Sequence, residues 1–384
     1  MSSLRVIVMA DDRAILMIAA SETDANLYYA TQFIAPDPFV FMEIGGVRIL
    51  VMSDLEVDRA RSQATVDQVL SYSEWERRAK AQGVAIPSSV DVLHLVLQDH
   101  GIKQLLVPGN FPFGHAVKLQ ALGYQLETKK EPFYERRAIK TTEEIRCIED
   151  AQRATEAAVA VAHDALRAAG IRDGTLWLND APLTSERIKK LINVALMERD
   201  CVAQHTIVAG GDQACDPHDE GSGPLPAHRS IIFDVFPRSA RTRYFADMSR
   251  TVVRGTASPE LKRLYQTVKD AQEEAITKVR AGADGTKIHQ GICDRFDAAG
   301  YATGVVNGRM QGYFHGTGHG VGLDIHEHPR ISRNGSILQE GEVVTVEPGL
   351  YYPGLGAVRI EDMVLVTRDG CRNLTDYPKT FELG

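Results

Sequence analysis

Four carboxylates set within or against apolar runs constrain this chain more than any other feature of its sequence. Asp234 sits inside Ile231-Ile232-Phe233-Asp234-Val235-Phe236, and Glu347 directly follows Val343-Val344-Thr345-Val346. Glu361 lies within Val358-Arg359-Ile360-Glu361-Asp362-Met363-Val364, and Asp247 within Tyr244-Phe245-Ala246-Asp247-Met248. Near-continuous apolar runs of this length read as buried strands. A carboxylate in such a strand is costly unless it is paired or bound to a metal. One such acid is explained by an arginine or a backbone partner. Four gathered together cannot all stay ionised without several compensating positive charges. Their spacing suggests a repeat: Asp234 and Asp247 are 13 apart (247 − 234), Glu347 and Glu361 are 14 apart (361 − 347). Each pair falls on two strands joined by a turn, so two similar hairpins presenting two acids each are expected to be halves of one site.

The rest of the chain supplies the frame. At 384 residues it is long for a single core, and two domains are expected. Residues 1–135 read as a small α/β domain. Its strands are expected at Arg5–Met9, Ile15–Ala19, Phe39–Ile44, Val47–Met52 and Gln104–Val107, with a hairpin at Gly45-Gly46 and helices over Ser88–Asp99 and Pro112–Leu122. The second domain, residues 139–384, opens on a capping box, Thr141 with Glu144, and a helix expected to reach Ala169 before Gly170. Further helices are expected from Ser185 to Arg199, from the Ser258-Pro259 cap to Gly282, and over Thr286–Ala299. Strands are expected at Ser230–Val235, Tyr244–Val253, Glu342–Val346 and Ala357–Thr367. The fold class is therefore α/β (α+β).

Histidines complete the inventory. His315-Gly316-Thr317-Gly318-His319-Gly320-Val321-Gly322-Leu323-Asp324-Ile325-His326-Glu327-His328-Pro329 holds four of the twelve, among four glycines that disfavour a helix. It is read as a loop in which backbone and imidazoles approach a ligand closely. Arg330 stands where a helical HExxH zinc motif would need its second histidine. Four acids balance two divalent ions, and a bridging hydroxide would add a nucleophile. Oxygen-rich ligation with one imidazole suits manganese, cobalt, iron or zinc, and two such ions can acidify a shared water.

These stretches, with Ile207-Val208-Ala209-Gly210-Gly211 and Asp216-Pro217-His218 before them, resemble the pita-bread metallopeptidases: Xaa-Pro dipeptidase (prolidase), aminopeptidase P and methionine aminopeptidase. The resemblance covers residues 139–384, and residues 1–135 resemble the creatinase-type N-terminal domain of that family in layout. It implies a metal set of Asp234, Asp247, His319, Glu347 and Glu361, with Asp234 and His319 on opposite ions and Asp247 and Glu361 shared. It implies that Glu347 also acts as general base or proton shuttle. It places His218, His315, His326 and Arg359 against substrate, with His218 and His326 at the scissile amide. A homodimer is implied too. One departure stands out: Asp234-Val235-Phe236-Pro237-Arg238 lacks the family's usual Asp-x-Gly, and its hairpin is longer.

The extra N-terminal domain favours the proline-directed branch over methionine aminopeptidase. The expected reaction is metal-dependent hydrolysis of Xaa-Pro bonds, dipeptidase-like, with Xaa-Pro aminopeptidase action on longer peptides as the alternative. A non-catalytic binding module of this fold would have lost ligands, and all five are present. A net charge of −8 argues against nucleic acid as partner. No apolar run approaches the ~18 residues of a membrane span, and the N-terminal segment is read as strands rather than a secretory leader. Five scattered cysteines without CxxC spacing suit a reducing, cytoplasmic setting.

Overall fold

The structure is a computed structural model that describes residues 13–384; the strand expected at Arg5–Met9 lies outside these. The chain divides into two compact units, one ending at Tyr134 and one spanning Glu135–Gly384.

In the first unit the described strands form one sheet in the order Gln68–Ser71, Val47–Met52, Phe39–Ile44, Ala14–Ala19, Gln104–Pro108, Gln125–Lys129. Ile44 pairs with Val47 across Gly45 and Gly46, which both take positive φ, so the hairpin turns through a two-residue type I′ loop. Helices Ser89–Asp99, Tyr72–Ala81 and Phe113–Ala121 supply one apolar layer against this sheet, built on Leu93, Val96, Trp75 and Leu119.

The second unit repeats one plan. A four-stranded sheet runs Ile207–Gly210, Ile231–Val235, Met248–Arg254, Glu382–Leu383. Helices Thr142–Ala168 and Ser185–Met197 pack against it. A five-stranded sheet runs Glu327–Ile331, Gly318–Gly320, Val343–Val346, Asp362–Val366, Cys371–Asn373, with helices Pro259–Lys278 and Gly285–Ala298 against it. Both long helices start as their caps dictate. Thr141 Oγ1 accepts the Glu144 N–H while Glu144 accepts that of Thr141, and Ser258 Oγ accepts the Leu261 N–H.

Several expected boundaries shift for identifiable reasons. The helix after Ser258 stops at Lys278, four residues short of Gly282, because Val279 turns extended and is buried in the core. The strand expected over Tyr244–Val253 begins only at Met248. Upstream, the long hairpin tip takes the backbone bonds: Ser239 N donates to Tyr244 O, Ala246 N to Pro237 O, and Phe245 N to Gly322 O. The tip itself pairs, through Arg238–Ser239, with Cys201–Val202. The strand expected over Ala357–Thr367 breaks between Arg359 and Asp362, since Glu361 N donates to Ser249 O of the other sheet. Part of the expected glycine loop is strand: Gly318–Gly320 lies between Glu327–Ile331 and Val343–Val346. A Cβ on Gly318 would overlap the Thr345 carbonyl, and one on Gly320 the His328 carbonyl, so the glycines admit close backbones. The segment 177–184 belongs to a three-stranded meander of Gly170–Arg172, Thr175–Leu178 and Ala181–Pro182.

Candidate active site

The two sheets deliver their acids from equivalent places. Asp234 is the penultimate residue of its strand and Glu347 immediately follows Val346; Asp247 and Glu361 each immediately precede the partner strand. Across the first sheet Ile207, Asp234 and Ser249 lie in one row. Ser249 Oγ then donates to Glu361 Oε2 at 2.9 Å, joining that row to the second hairpin. A cavity of about 970 Å³ is lined by Asp234, Asp247, His319, Glu347 and Glu361, and also by His218, His315, His326 and Arg359. All nine residues singled out in the sequence therefore face one space.

Asp247, His319 and Glu361 are buried, with ligand-capable atoms all within 4.8 Å of one another. His319 Nδ1 lies 3.1 Å from the Gly320 carbonyl, which can only accept. The ring proton therefore sits on Nδ1, and the Nε2 lone pair points outward. Nε2 is 3.6 Å from Asp247 Oδ2 and 3.4 Å from Glu347 Oε1. Burial pulls the His319 pKa down to about 3, so the ring is neutral and three lone-pair donors face each other. Asp234 Oδ1 is buried without a hydrogen-bond partner among the described residues. This donor set fits divalent cations, which would neutralise it.

Without cations the acids hold protons instead. Burial, then the neighbouring carboxylates, push Asp247 and Glu361 well above the usual carboxylate range, and burial pushes Glu347 up to about 8. The folded metal-free protein thus binds protons that the unfolded chain releases near pH 4.5. Its stability from these groups falls as pH rises from there toward about 8. The melting temperature of metal-free wild type is expected to drop progressively below that of metal-free Glu347→Gln between pH 5 and pH 8. A gap that stays constant across that range in calorimetry would show that Glu347 is not protonated in the fold.

Arg359 organises the floor. Its Nη2 donates to Asp234 Oδ2 (2.7 Å), Nη1 to Tyr351 OH (2.9 Å) and Nε to Ser249 Oγ (3.0 Å). Three of its five N–H groups are held by protein partners, which positions those partners, and Arg359 still lines the cavity. His315 is similarly engaged: Nδ1 is 2.7 Å from the Gly316 carbonyl and Nε2 2.9 Å from Tyr351 OH. With Arg359 donating to it, Tyr351 donates onward to His315. Neither ring nitrogen of His315 is free for substrate in this arrangement. His218 is exposed at the cavity wall. His326 packs edge-on against His319, with ring centroids 4.4 Å apart at 87°. Its ring nitrogens make no hydrogen bond among the described residues, and burial lowers its pKa so that it stays neutral. Its neighbour Glu327 takes the structural load, accepting from Arg137 Nη2 (2.7 Å) and pairing with Lys140.

Tyr351 and Ser249 were not singled out in the sequence. Ser249 had a signal, standing two residues past Asp247 in the alternation that places side chains on one side of an extended segment. Tyr351 had none, since its segment read as a turn and is in fact a strand, Gly349–Tyr352, paired with Gly356–Arg359.

Comparison with known proteins places the chain. The model of metallopeptidase family M24 matches residues 146–368, more than half of the sequence. The Xaa-Pro dipeptidase of Pyrococcus horikoshii is 30% identical over 279 residues, covering 72% of this chain and 74% of its own length. The solved Xaa-Pro dipeptidase from Bacillus anthracis superposes with a TM-score of 0.80 at 23% identity, covering 96% of this chain and 94% of that one. The X-Pro aminopeptidase from Thermotoga maritima gives 0.79 at 24%, covering 96% and 97%. At these identities the two structures bear on the fold alone. The family match spans the acids, the histidine segment and the strands that carry them, and the chain belongs to metallopeptidase family M24.

Proposed function

We propose that this metallopeptidase hydrolyses the bond between an N-terminal residue and proline, acting on Xaa-Pro dipeptides, at a centre of two divalent cations. The observation that carries the metal part is the His319 lone pair aimed at buried Asp247 and half-buried Glu347, with Asp234 Oδ1 left unpartnered among the described residues. The likeness to the Pyrococcus horikoshii Xaa-Pro dipeptidase supports the substrate class. Asp234, Asp247, His319, Glu347 and Glu361 would hold the cations, with Asp247 and Glu361 shared between them. When bound, such cations supply neutralising charge and a water acidified for attack.

The protein's own groups account for the rest. An Xaa-Pro amide has no N–H, so the site needs donors for its carbonyl oxygen and a proton for the leaving nitrogen, and no acceptor at that nitrogen. Neutral His326, and His218 across the cavity, can each donate a ring N–H to the amide. Glu347 takes the proton of the attacking water, whose oxygen joins the carbonyl carbon. The C–N bond breaks and that proton passes to the proline nitrogen, leaving a free residue and proline. Arg359 holds Asp234 directly, Glu361 through Ser249 and His315 through Tyr351.

Manganese suits the oxygen-rich set with one imidazole. Five free cysteines suit the cytoplasm, and the family resemblance suits a homodimer. Rates on Ala-Pro and Ala-Ala with added manganese test the reading. Ala-Pro is expected to be preferred by at least about tenfold in kcat/KM, and equal rates would contradict it.

A further inference from the structure

The peptide unit that carries Glu347 is held at both ends. Its N–H donates to the Thr317 carbonyl at 2.7 Å, and its carbonyl, that of Val346, accepts from Gln272 Nε2 at 3.3 Å. Gln272 is fully buried on the Pro259–Lys278 helix. Thr317 is fully buried too, and its own N–H donates to the Ile331 carbonyl at 2.8 Å. The Glu347 carboxylate has looser neighbours: Thr345 Oγ1 lies 3.5 Å from Oε1, and His319 Nε2 3.4 Å. The first distance is beyond the roughly 2.5–3.0 Å of a hydroxyl hydrogen bond, so the aim of this side chain depends on the backbone beneath it.

Behind Thr317 stands a buried polar group that the reaction above does not use. His289 projects from the Gly285–Ala298 helix and is 4% exposed. Its Nδ1 lies 2.9 Å from Thr317 Oγ1 and 3.4 Å from Tyr313 OH, while Tyr313 OH is 2.6 Å from Thr317 Oγ1. One turn along the helix, Cys293 Sγ is 3.6 Å from His289 Nε2. This triangle fixes the tautomer. Tyr313 and Thr317 are both buried, and among the described residues their hydroxyl protons can be received only by each other and by His289 Nδ1. A proton on Nδ1 would leave one hydroxyl proton stranded. Nδ1 therefore accepts, and the ring proton sits on Nε2, facing Cys293. Burial lowers the His289 pKa, so the ring is neutral.

We propose that His289 is a positioning residue for Glu347: by accepting from the Thr317 hydroxyl it fixes the carbonyl that holds the Glu347 N–H, and so aims the carboxylate that moves the proton in Xaa-Pro hydrolysis. The inference rests on the proton-shuttle role given to Glu347 above. Gln272 from one helix and His289 from the other, acting through Thr317, leave that peptide unit little freedom to rotate. Misplacement of a reacting group by about 1 Å can cost about 10²-fold, and a proton shuttle acts in the chemical step rather than in substrate binding.

The test uses full-length protein saturated with manganese, with Ala-Pro as substrate, and with bound manganese and melting temperature measured on the same samples. His289→Leu is expected to lower kcat by at least about tenfold with KM and bound manganese unchanged. Thr317→Val keeps the side-chain shape, removes the hydroxyl and is expected to give the same loss. The His289→Leu/Thr317→Val double variant should lose no more than either single variant, since both remove the same bond. His289→Asn should recover most of kcat, because its Oδ1 can accept in place of Nδ1 and asparagine ranks with histidine in helix preference. If His289→Leu does not fold, Thr317→Val carries the test by the same split of kcat from KM. Wild-type kcat in a folded His289→Leu or Thr317→Val, losses that multiply in the double variant, manganese lost in step with activity, or His289→Asn no better than His289→Leu overturns the positioning role while the Xaa-Pro activity stands. Wild type that cleaves no Xaa-Pro dipeptide overturns both.

Discussion

Asp247→Ala and Glu361→Ala are each expected to remove both cations at once and to lower turnover by more than about 10³-fold, beyond the roughly 10–100-fold typical of losses in the outer shell of a metal site. Both side chains are buried in the cluster that includes His319, and each comes from a different hairpin. The same substitutions should not harm the metal-free fold. Burial and the other acids hold both groups protonated there, so deleting one relieves a crowded site. Metal-free variants should therefore melt at or above metal-free wild type at pH 8, with the stabilisation by added manganese lost. This is the signature of a site where binding capacity costs stability. Full metal content in both variants by elemental analysis would refute the shared-ligand assignment.

His326→Ala is expected to keep the fold and both cations yet lose at least ~100-fold in turnover on an Xaa-Pro substrate, since general acid–base groups typically contribute ~10²–10⁴-fold. An interaction made mainly in the transition state lowers kcat more than it changes KM. The competing account makes His326 a loop anchor. The structure gives that task to its neighbour: Glu327 binds Arg137 and Lys140, while the His326 ring makes no hydrogen bond among the described residues and packs on His319. Glu327→Gln should accordingly lower the melting temperature, whereas His326→Ala should barely move it. Near-wild-type turnover with a lowered melting temperature in His326→Ala would reverse the assignment.

The features legible in the sequence were those with local chemistry. Thr141 with Glu144 and Ser258 with Pro259 mark helix starts because capping uses residues three apart or adjacent. Gly45-Gly46 marks a hairpin because only such residues take positive φ freely. The missed helices Ala25–Thr31 and Val57–Gln63 are seven residues each, too short for a helical period to show. Tyr72–Ala81 buries only Trp75 and Ala79, which is too narrow a stripe to stand out. The acids were legible for a different reason: a carboxylate inside an apolar run is anomalous wherever the chain later goes. Ser249, Tyr351 and the inward-turned Arg359 were not, because their role exists only once the two hairpins meet.

Xaa-Pro hydrolysis is expected to depend on two divalent cations held by these five residues. Protein stripped with a chelator and titrated with manganese, with bound metal counted and Ala-Pro hydrolysis followed on the same samples, tests it most directly. Negligible activity is expected in the stripped protein, with a rise to a plateau at two bound ions per chain. Activity that survives stripping, or a plateau with no manganese bound, would contradict it.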